Sequence, residues 1–290
     1  MTSKSFVAVG QMTSTNDPSH NALLACSIIR RAAKLSAKLK LVALPEACDF
    51  IATPEEVRKL TKSLEESEFV TRVRKQARES NVWVSVGVHE SSEEEGRVYN
   101  TNVLIDSNGE IASKYEKIHL LDVDVQGGDS VQESSLTKEG KRLTEPHQTP
   151  VGKVGLQVCY DLRFPMGAAN LRRRGAELIF YNSAFTARTG PPHWEVLLRA
   201  RAIENQAYVL AANQIGTHPS GRQSHGHAMI VDCWGSVIAR CSDRPPAESK
   251  EQSEDDGQFC MAEIDLDWVK ELRESMPLLD QQRNDIYSQV

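Results

Sequence analysis

The sequence predicts a single α/β domain that spans residues 1–290. Apolar β-rich runs alternate with segments of helical period, tight turns join some of the strands, and no linker or solenoid-type repeat divides the chain. The composition agrees with this class, because 40% hydrophobic and 26% charged residues are ordinary for a soluble globular protein. We therefore expect helices packed on mixed, largely buried sheets.

The first half of the chain alternates strands with helices and then continues with strands joined by turns. Apolar side chains recur at helical spacing after the first strand, and Asn108-Gly109 is a strong hairpin signal between the last two strands. The predicted elements are a strand at 6–10, a helix at 21–39, a strand at 41–44, a helical stretch within 54–79 that a break can divide, strands at 82–88, 99–105 and 111–115, and an irregular segment at 122–150.

The second half repeats the alternation and ends on a helix. Short β-rich runs and helical periods again follow each other without a linker. The predicted elements are a strand at 153–158, a helix at 166–174, a strand at 178–181, a helix at 194–205, strands at 208–212, 227–231, 237–239 and 259–264, and a closing helix at 266–275.

The charge and the hydropathy pattern exclude several function classes. The net charge of −6 argues against a nucleic-acid partner, which usually meets a basic patch. No apolar run approaches the ~20 residues that cross a membrane. The segment 1–6 lacks the basic stretch and apolar run of a secretory signal. The sequence predicts a cytoplasmic protein without a membrane partner, with a mitochondrial pool as the alternative.

Much of the negative charge lies in one segment, 242–258. It holds six acidic side chains against Arg244 and Lys250, has no apolar period, and contains Pro245-Pro246. Such a composition is typical of a solvated surface loop. We therefore expect a flexible acidic loop within the single domain.

The six cysteines have no spacing that indicates a zinc site, a redox motif or a disulfide scaffold. They are predicted to be reduced thiols, most of them buried as small apolar side chains. His225-Gly226-His227 is the closest histidine pair, but no third ligand follows at metal-binding spacing. The sequence therefore predicts neither a metal nor another cofactor.

Three reactive side chains follow predicted strands: Glu46, Lys117 and Cys159. Taken singly, each has an ordinary interpretation as a capping carboxylate, a surface amine or a core thiol. Taken together, they supply a base, a cation for an oxyanion and a nucleophile, and the carboxyl ends of strands are common sites for such groups. Their spacing along the chain does not establish that they meet in space.

Three segments resemble the signature blocks of the nitrilase (carbon–nitrogen hydrolase) superfamily. They are LPE at 44–46, YEKIHL at 115–120 and VCYDLRFP at 158–165, and they occur in the order of the family. The similarity extends over almost the whole chain, with further similar stretches at 193–205, 224–227 and 234–235. Three blocks in order make a specific signal. Two positions depart from the family pattern, Met166 after Phe-Pro and Cys233 before Trp-Gly.

The resemblance implies an α-β-β-α sandwich in which mixed sheets are covered by helices. It also implies that Cys159, Glu46 and Lys117 converge, and that Glu133 matches a further glutamate near the nucleophile. Cys159 is then the nucleophile, Glu46 the general base, and Lys117 the oxyanion stabiliser together with the backbone N–H of Tyr160. A homo-oligomer, either a dimer or a tetramer, is expected.

Within the superfamily the chain most resembles the Nit branch, whose members act as deaminated glutathione amidases. The resemblance therefore implies hydrolysis of a small amide through a Cys thioester, with 2-oxoglutarate and cysteinylglycine as products in a metabolite-repair role. The alternatives are an ω-amidase acting on 2-oxoglutaramate or another small-amide hydrolase. A cysteine protease and a binding protein without catalysis are alternatives from other classes.

Three further residues are candidates for binding the acyl half of such a substrate. Arg163 follows the nucleophile closely and offers a planar fork that matches a carboxylate. Its ordinary interpretation is a structural ion pair with an acid beneath the turn. Phe185 would supply an apolar wall, and Thr189 a hydroxyl.

Overall fold

The computed structural model describes residues 4–124, 130–244 and 256–286, which form sixteen strands and six helices. No helix among them is long and apolar enough to span a lipid bilayer. In chain order they are β1 (Ser5–Met12), α1 (Pro18–Leu35), β2 (Leu39–Ala43), α2 (Pro54–Leu60), α3 (Glu68–Ser80), β3 (Trp83–Ser91), β4 (Val98–Ile105), β5 (Ile111–Glu116), β6 (Asp122–Asp124), β7 (Ser130–Gln132), β8 (His147–Thr149), β9 (Gly152–Val158), α4 (Pro165–Arg173), β10 (Leu178–Asn182), α5 (Gly190–Asn205), β11 (Tyr208–Ala211), β12 (Asn213–Thr217), β13 (Gln223–His225), β14 (Met229–Val231), β15 (Val237–Arg240), β16 (Gln258–Ile264) and α6 (Leu266–Ser275).

The first sheet contains eight strands in the order β13-β12-β1-β2-β3-β4-β5, with β16 also paired to β1. β1, β2, β3 and β12 run parallel to their neighbours in this set, whereas β4, β5, β13 and β16 add antiparallel pairs. The sheet is therefore mixed, as the combination of helical crossovers and hairpins predicts.

The second sheet has the order β15-β14-β11-β10-β9-β8, with β9, β10 and β11 parallel and the outer strands antiparallel. β9 lies against β4 and β5, and β10 lies against β3, so the two sheets face each other. The short strands β6 and β7 pair separately.

Helices cover both outer faces and complete four layers. α1 and α3 pack on each other and on the first sheet, where one apolar core contains Ile28, Val73 and Val84. α4 and α5 pack on the second sheet. A second core joins side chains between the sheets, such as Val9 and Val158, to apolar side chains of these helices. The expected arrangement of helix, two sheets and helix is confirmed.

Most predicted elements form, and helix boundaries shift toward their capping residues. Asp17 caps α1, its side chain accepting bonds from the N–H groups of Ser19 and His20, so the helix begins earlier than residue 21. The stretch 54–79 divides into two helices, each with its own side-chain cap, from Thr53 and Ser67. Asn108-Gly109 does form the turn between β4 and β5, with Gly109 at φ +82°.

Three predictions about the strands are wrong. The segment 122–150 is not wholly irregular, because it contains β6, β7 and β8. The strands β12 and β13 were not expected. The strand predicted at 227–231 begins only at Met229, because Gly226 and His227 take left-handed backbone angles of φ +77° and +56°. Of the predicted acidic loop at 242–258, residues 245–255 lie outside the described residues.

Candidate active site

Four predicted site residues follow four strands and come together. Glu46 lies three residues beyond β2, Lys117 directly follows β5, Glu133 directly follows β7, and Cys159 directly follows β9. The first three side chains are linked by hydrogen bonds, and Cys159 is close enough for Glu46 and Lys117 to shift the pKa of its thiol. These side chains therefore come together in the structure, which their spacing along the chain did not establish.

The Lys117 ammonium is the centre of the cluster. Its Nζ lies 3.0 Å from Glu46 Oε1, 3.0 Å from Glu133 Oε1 and 2.9 Å from Glu133 Oε2. The side chain is only 2% exposed. Burial lowers the pKa of Lys117, but Glu133 and Glu46 raise it above its ordinary value, so the amine stays protonated at neutral pH.

The Glu46 carboxylate is held at both oxygens. Oε1 accepts from Lys117 and, at 2.7 Å, from Asn100 Nδ2, while Oε2 accepts from the backbone N–H of Ala184 at 2.8 Å. Burial raises the pKa of Glu46, whereas the charge of Lys117, the charge of Arg222 and the hydrogen bonds from Lys117 and Asn100 lower it to about 2. Glu46 is therefore an ionised, fully buried carboxylate.

Gly87 of β3 lets the backbone of Glu46 pass close to the sheet. The Gly87 N–H donates to the Pro45 carbonyl at 3.0 Å, and its own carbonyl accepts from the Cys48 N–H at 2.8 Å. A Cβ at Gly87 would lie 2.5 Å from Glu46 Cα. Only glycine fits this position while the backbone beside it holds the carboxylate in place.

Glu133 adds a second carboxylate to the same ammonium. Its Oε2 accepts from the backbone N–H of Leu121 at 2.7 Å, and its Oε1 lies 3.2 Å from Asn100 Nδ2. The Asn100 amide therefore bridges the two glutamates. The structure places Glu133 in direct contact with Lys117.

Cys159 opens a 3-10 turn, Cys159–Arg163, at the end of β9. Its φ is +41°, a left-handed conformation that is unfavourable for a residue with a Cβ. The side chain of Asp161 anchors the turn, because it accepts from the N–H of Val158 at 2.9 Å, the hydroxyl of Tyr115 at 2.8 Å and the N–H of His119 at 3.2 Å. Asp161 and His119 therefore support the turn from beneath.

The Cys159 thiol is protonated in the resting site. Burial raises its pKa well above the ordinary value and the Glu46 charge raises it further, while Lys117, Arg222 and the Ala184 backbone offset this only in part. A protonated thiol beside an ionised carboxylate is the arrangement that general-base activation of a nucleophile requires. The geometry thus combines a buried thiol, an ionised carboxylate and a fixed ammonium.

The predicted substrate-binding residues lie beside this cluster with different partners. The Arg163 guanidinium lies over the rings of Tyr160 and Phe185, 5.8 and 5.2 Å from their centroids, with Nη1 3.2 Å from His193 Nδ1. Within the described ranges it forms no salt bridge. The structural ion pair with an acid beneath the turn is therefore wrong, because Asp161 takes other partners.

Phe185 and Thr189 frame the segment between β10 and α5. Phe185 follows Ala184, whose N–H holds Glu46, and its buried ring packs 5.0 Å from that of Trp194. The Thr189 hydroxyl pairs with the Thr186 hydroxyl at 2.8 Å. Phe185 is thus placed next to the site, while Thr189 directly precedes α5 and its side chain caps no N–H group of that helix.

Sequence reasoning did not find Asn100 and Arg222. Asn100 lies within β4, where its type is unusual for a buried strand and gives a weak signal. Arg222, before β13, donates from Nη2 to the Ala184 carbonyl at 2.5 Å and lowers the pKa of both Glu46 and Cys159. Nothing near Arg222 in the sequence marks it as part of a site.

The two departures from the family pattern lie outside the cluster. Met166, at the start of α4, is 48% exposed, whereas Cys233 is buried in the core shared by the second sheet and its helices. In the part of the chain that is described, no group of three or more His, Cys, Asp or Glu side chains is arranged to hold a metal ion.

Comparisons with known proteins agree with this geometry. Residues 6–274 match the family described as "Carbon-nitrogen hydrolase". The chain is 42% identical to the nitrilase and fragile histidine triad fusion protein NitFhit of Caenorhabditis elegans over 99% of its own length, and it spans 62% of that protein. It is 43% identical to deaminated glutathione amidase of Homo sapiens, covering 98% of this chain and 84% of that one.

Solved structures show the same fold. The match to the crystal structure of the C. elegans NitFhit protein covers 99% of this chain and 67% of that chain, with a TM-score of 0.88 and 42% sequence identity. Saccharomyces cerevisiae Nit3, described as a member of branch 10 of the nitrilase superfamily, matches 97% of both chains with a TM-score of 0.82 at 29% identity.

Proposed function

Because this chain belongs to the carbon-nitrogen hydrolase family, we propose that it hydrolyses the amide bond of deaminated glutathione to 2-oxoglutarate and cysteinylglycine. The observation that carries the proposal is the buried cluster of Glu46, Lys117 and Glu133 beside Cys159. The identity of 43% to proteins named deaminated glutathione amidase supports this substrate over 2-oxoglutaramate.

The first half-reaction forms a thioester. Glu46 accepts the Cys159 proton as Sγ attacks the amide carbonyl, since the carboxylate is ionised and the thiol is not. Lys117 and the Tyr160 N–H stabilise the oxyanion. As the second residue of the 3-10 turn, Tyr160 has an N–H without an acceptor inside that turn. Glu46 then returns the proton to the nitrogen of cysteinylglycine, which leaves.

The second half-reaction releases 2-oxoglutarate. Glu46 removes a proton from water, the resulting hydroxide attacks the thioester carbonyl, and the Cys159 thiolate leaves and regains the proton. Glu133 supports this step, because it holds Lys117 through both of its oxygens and so keeps the ammonium oriented toward the oxyanion. Three charged groups around one thiol titrate as a set.

Arg163 is proposed to bind the carboxylate beside the keto group of the acyl half. Its guanidinium is held over two aromatic rings, and the absence of a salt bridge among the described residues leaves its charge available for a substrate carboxylate. Phe185 supplies the apolar wall next to it, and the Thr189 hydroxyl is proposed to complete the pocket.

The experiment that tests the substrate is a comparison of kcat/KM for deaminated glutathione, 2-oxoglutaramate and intact glutathione with the purified protein. We expect deaminated glutathione to be preferred. Intact glutathione should be rejected, because the ammonium group of that substrate would lie near the positive charges of Lys117 and Arg163. A higher kcat/KM for 2-oxoglutaramate would identify an ω-amidase instead.

We further propose a cytoplasmic homo-oligomer, either a dimer or a tetramer. Val196 and Ile203 of α5 and the nearby Trp234 are apolar and exposed, at 66%, 47% and 57%. An apolar surface of this kind is typical of an association surface. Light scattering coupled to gel filtration measures the mass, and a monomer would contradict the proposal.

A further inference from the structure

Two cysteine thiols that the proposed mechanism does not use meet at the junction of the two sheets. Cys260 in β16 pairs with Val9 of β1, and Cys241 directly follows β15. The Cys241 thiol points to the Val9 carbonyl at 3.9 Å, and the Cys260 thiol points to the Ala228 carbonyl at 3.7 Å. The Cys241 N–H donates to that same Ala228 carbonyl at 2.8 Å, so both cysteines lie against one carbonyl group.

The two cysteines belong to different sheets. β16 extends the first sheet through β1, whereas β15 is the outer strand of the second. Alternate residues of a strand face opposite sides, and Cys260 shares its face with Ala262 and Ile264, which lie in the core between the sheets. A bond between the two sulfur atoms would therefore join one sheet to the other.

We propose that Cys241 and Cys260 are an oxidisable dithiol, which a hydroperoxide such as hydrogen peroxide converts into a disulfide between the two sheets. Cys260 is the more exposed of the pair, and Cys241 is 6% exposed. The contact with Cys260 and burial raise the pKa of the Cys241 thiol far above its ordinary value, so it stays protonated. Cys260 thus reacts first with the peroxide, and Cys241 then forms the disulfide with it.

The reaction balances with one peroxide. The Cys260 thiol gives up its proton as its sulfur attacks one oxygen of hydrogen peroxide, the O–O bond breaks, and the departing hydroxide takes up that proton, so that a sulfenic acid and one water form. The Cys241 sulfur then attacks the sulfenic sulfur, its proton goes to the departing oxygen, and a second water leaves. Two thiols lose two electrons and two protons in total, and the peroxide takes up both.

The disulfide would close a covalent ring over residues 241–260. This ring contains the acidic segment, and cross-linking its ends removes conformations from the unfolded chain. It would also hold the edge strand β15 against the first sheet. We therefore expect the oxidised protein to unfold several degrees higher than the reduced protein.

The test uses the Cys159→Ala protein, in which the proposed nucleophile cannot react with peroxide. After exposure to hydrogen peroxide and alkylation of the remaining thiols, non-reducing peptide mapping should find the peptide of Cys241 joined to that of Cys260. The joined pair weighs 2 Da less than the two thiol peptides because two hydrogens are lost, and dithiothreitol should restore both thiols and the original melting temperature.

Two double variants provide the matched comparison. Cys159→Ala/Cys260→Ala should show no linked peptide and no rise in melting temperature, whereas Cys159→Ala/Cys26→Ala should behave like the Cys159→Ala protein. The proposal is overturned if Cys241 and Cys260 are both alkylated after peroxide treatment of folded Cys159→Ala protein. It is equally overturned if Cys260 is found joined to another cysteine. Neither outcome depends on which amide the enzyme hydrolyses.

Discussion

At the residue scale, Cys159 combines a left-handed backbone with a thiol that burial keeps protonated. Such a thiol is a weak nucleophile until a base removes its proton, and the ionised Glu46 is the base that we propose. Catalysis is therefore expected to depend on this one thiol among the six cysteines.

Cys159→Ala should lower kcat by about 10⁴-fold or more, because no other group can form the thioester. The measurement is steady-state hydrolysis of deaminated glutathione, with circular dichroism to confirm the fold. Cys26→Ser is the matched control and should retain parent activity, since Cys26 lies on α1 away from the cluster. Substantial activity in Cys159→Ala would exclude the thioester mechanism.

Glu133→Gln should slow the hydrolysis of the thioester more than its formation. The change removes one of the two negative charges on Lys117 and leaves its position less constrained. Intact-mass measurement during turnover should then show a protein species heavier by the acyl group. If the variant turns over like the parent, with no acyl species, Glu133 has only a structural role.

Arg163→Lys should raise KM for every 2-oxoglutaryl amide, because lysine cannot offer two parallel hydrogen bonds to a carboxylate. The discrimination against intact glutathione should persist, because lysine keeps the positive charge that repels the ammonium group of that substrate. Steady-state kinetics on both substrates measure the two effects. An unchanged KM would show that Arg163 does not bind the substrate carboxylate, and Arg222, which donates to the Ala184 carbonyl, would become the candidate.

At the element scale, the position of Glu46 depends on the packing of β3 against the segment that follows β2. Gly87 leaves room for the Glu46 backbone, and the hydrogen bonds to Pro45 and Cys48 hold that segment on the strand. The sheet therefore positions the Glu46 carboxylate, and a substitution in β3 should alter the rate of catalysis.

Gly87→Ala should lower both kcat and stability, the latter by about 1–3 kcal/mol, as is typical of overpacking. The added Cβ would lie 2.5 Å from Glu46 Cα, a backbone atom that cannot move independently. Urea unfolding and kcat measure the two effects. Gly10→Ala in β1 is the control, because its Cβ would meet a terminal side-chain carbon of Leu44 at 2.9 Å rather than a backbone atom, and kcat should be preserved. Equal effects on kcat in the two variants would contradict this account.

At the scale of the whole molecule, the buried charges of the site couple folding to pH. In the folded protein the pKa of Glu46 is about 2, against an ordinary value of 4.5. Between these values the unfolded chain binds the proton and the folded protein does not, so stability is present above pH 4.5 and is lost as the pH falls toward 2.

The free energy of unfolding of the parent should therefore fall more steeply between pH 5 and pH 2 than that of Glu46→Gln. The variant lacks this titration, while all other carboxylates are common to both proteins. Urea unfolding at a series of pH values measures the difference. Two parallel curves would show that Glu46 is not held ionised by the folded structure.

Local signals in the sequence determined the architecture and the chemistry. The periods of apolar residues and the caps and turns near them predict most helices and strands, because these depend on neighbours along the chain. The blocks around Glu46, Lys117 and Cys159 predicted a family and three side chains that the structure brings together. The strands β12 and β13 were missed because their residues carry no β-rich alternation.

Only the tertiary structure decided which residues contact the side chains of the candidate active site. Asn100 and the Ala184 N–H reach Glu46 from 54 and 138 residues away in the chain. The ring contacts of Arg163 and the contact of Arg222 with Ala184 depend equally on how the elements pack. So does the meeting of Cys241 with Cys260, which come from different sheets. Such contacts follow from sheet register and layer packing, which no short stretch of sequence encodes, because each requires two distant segments to be placed at once.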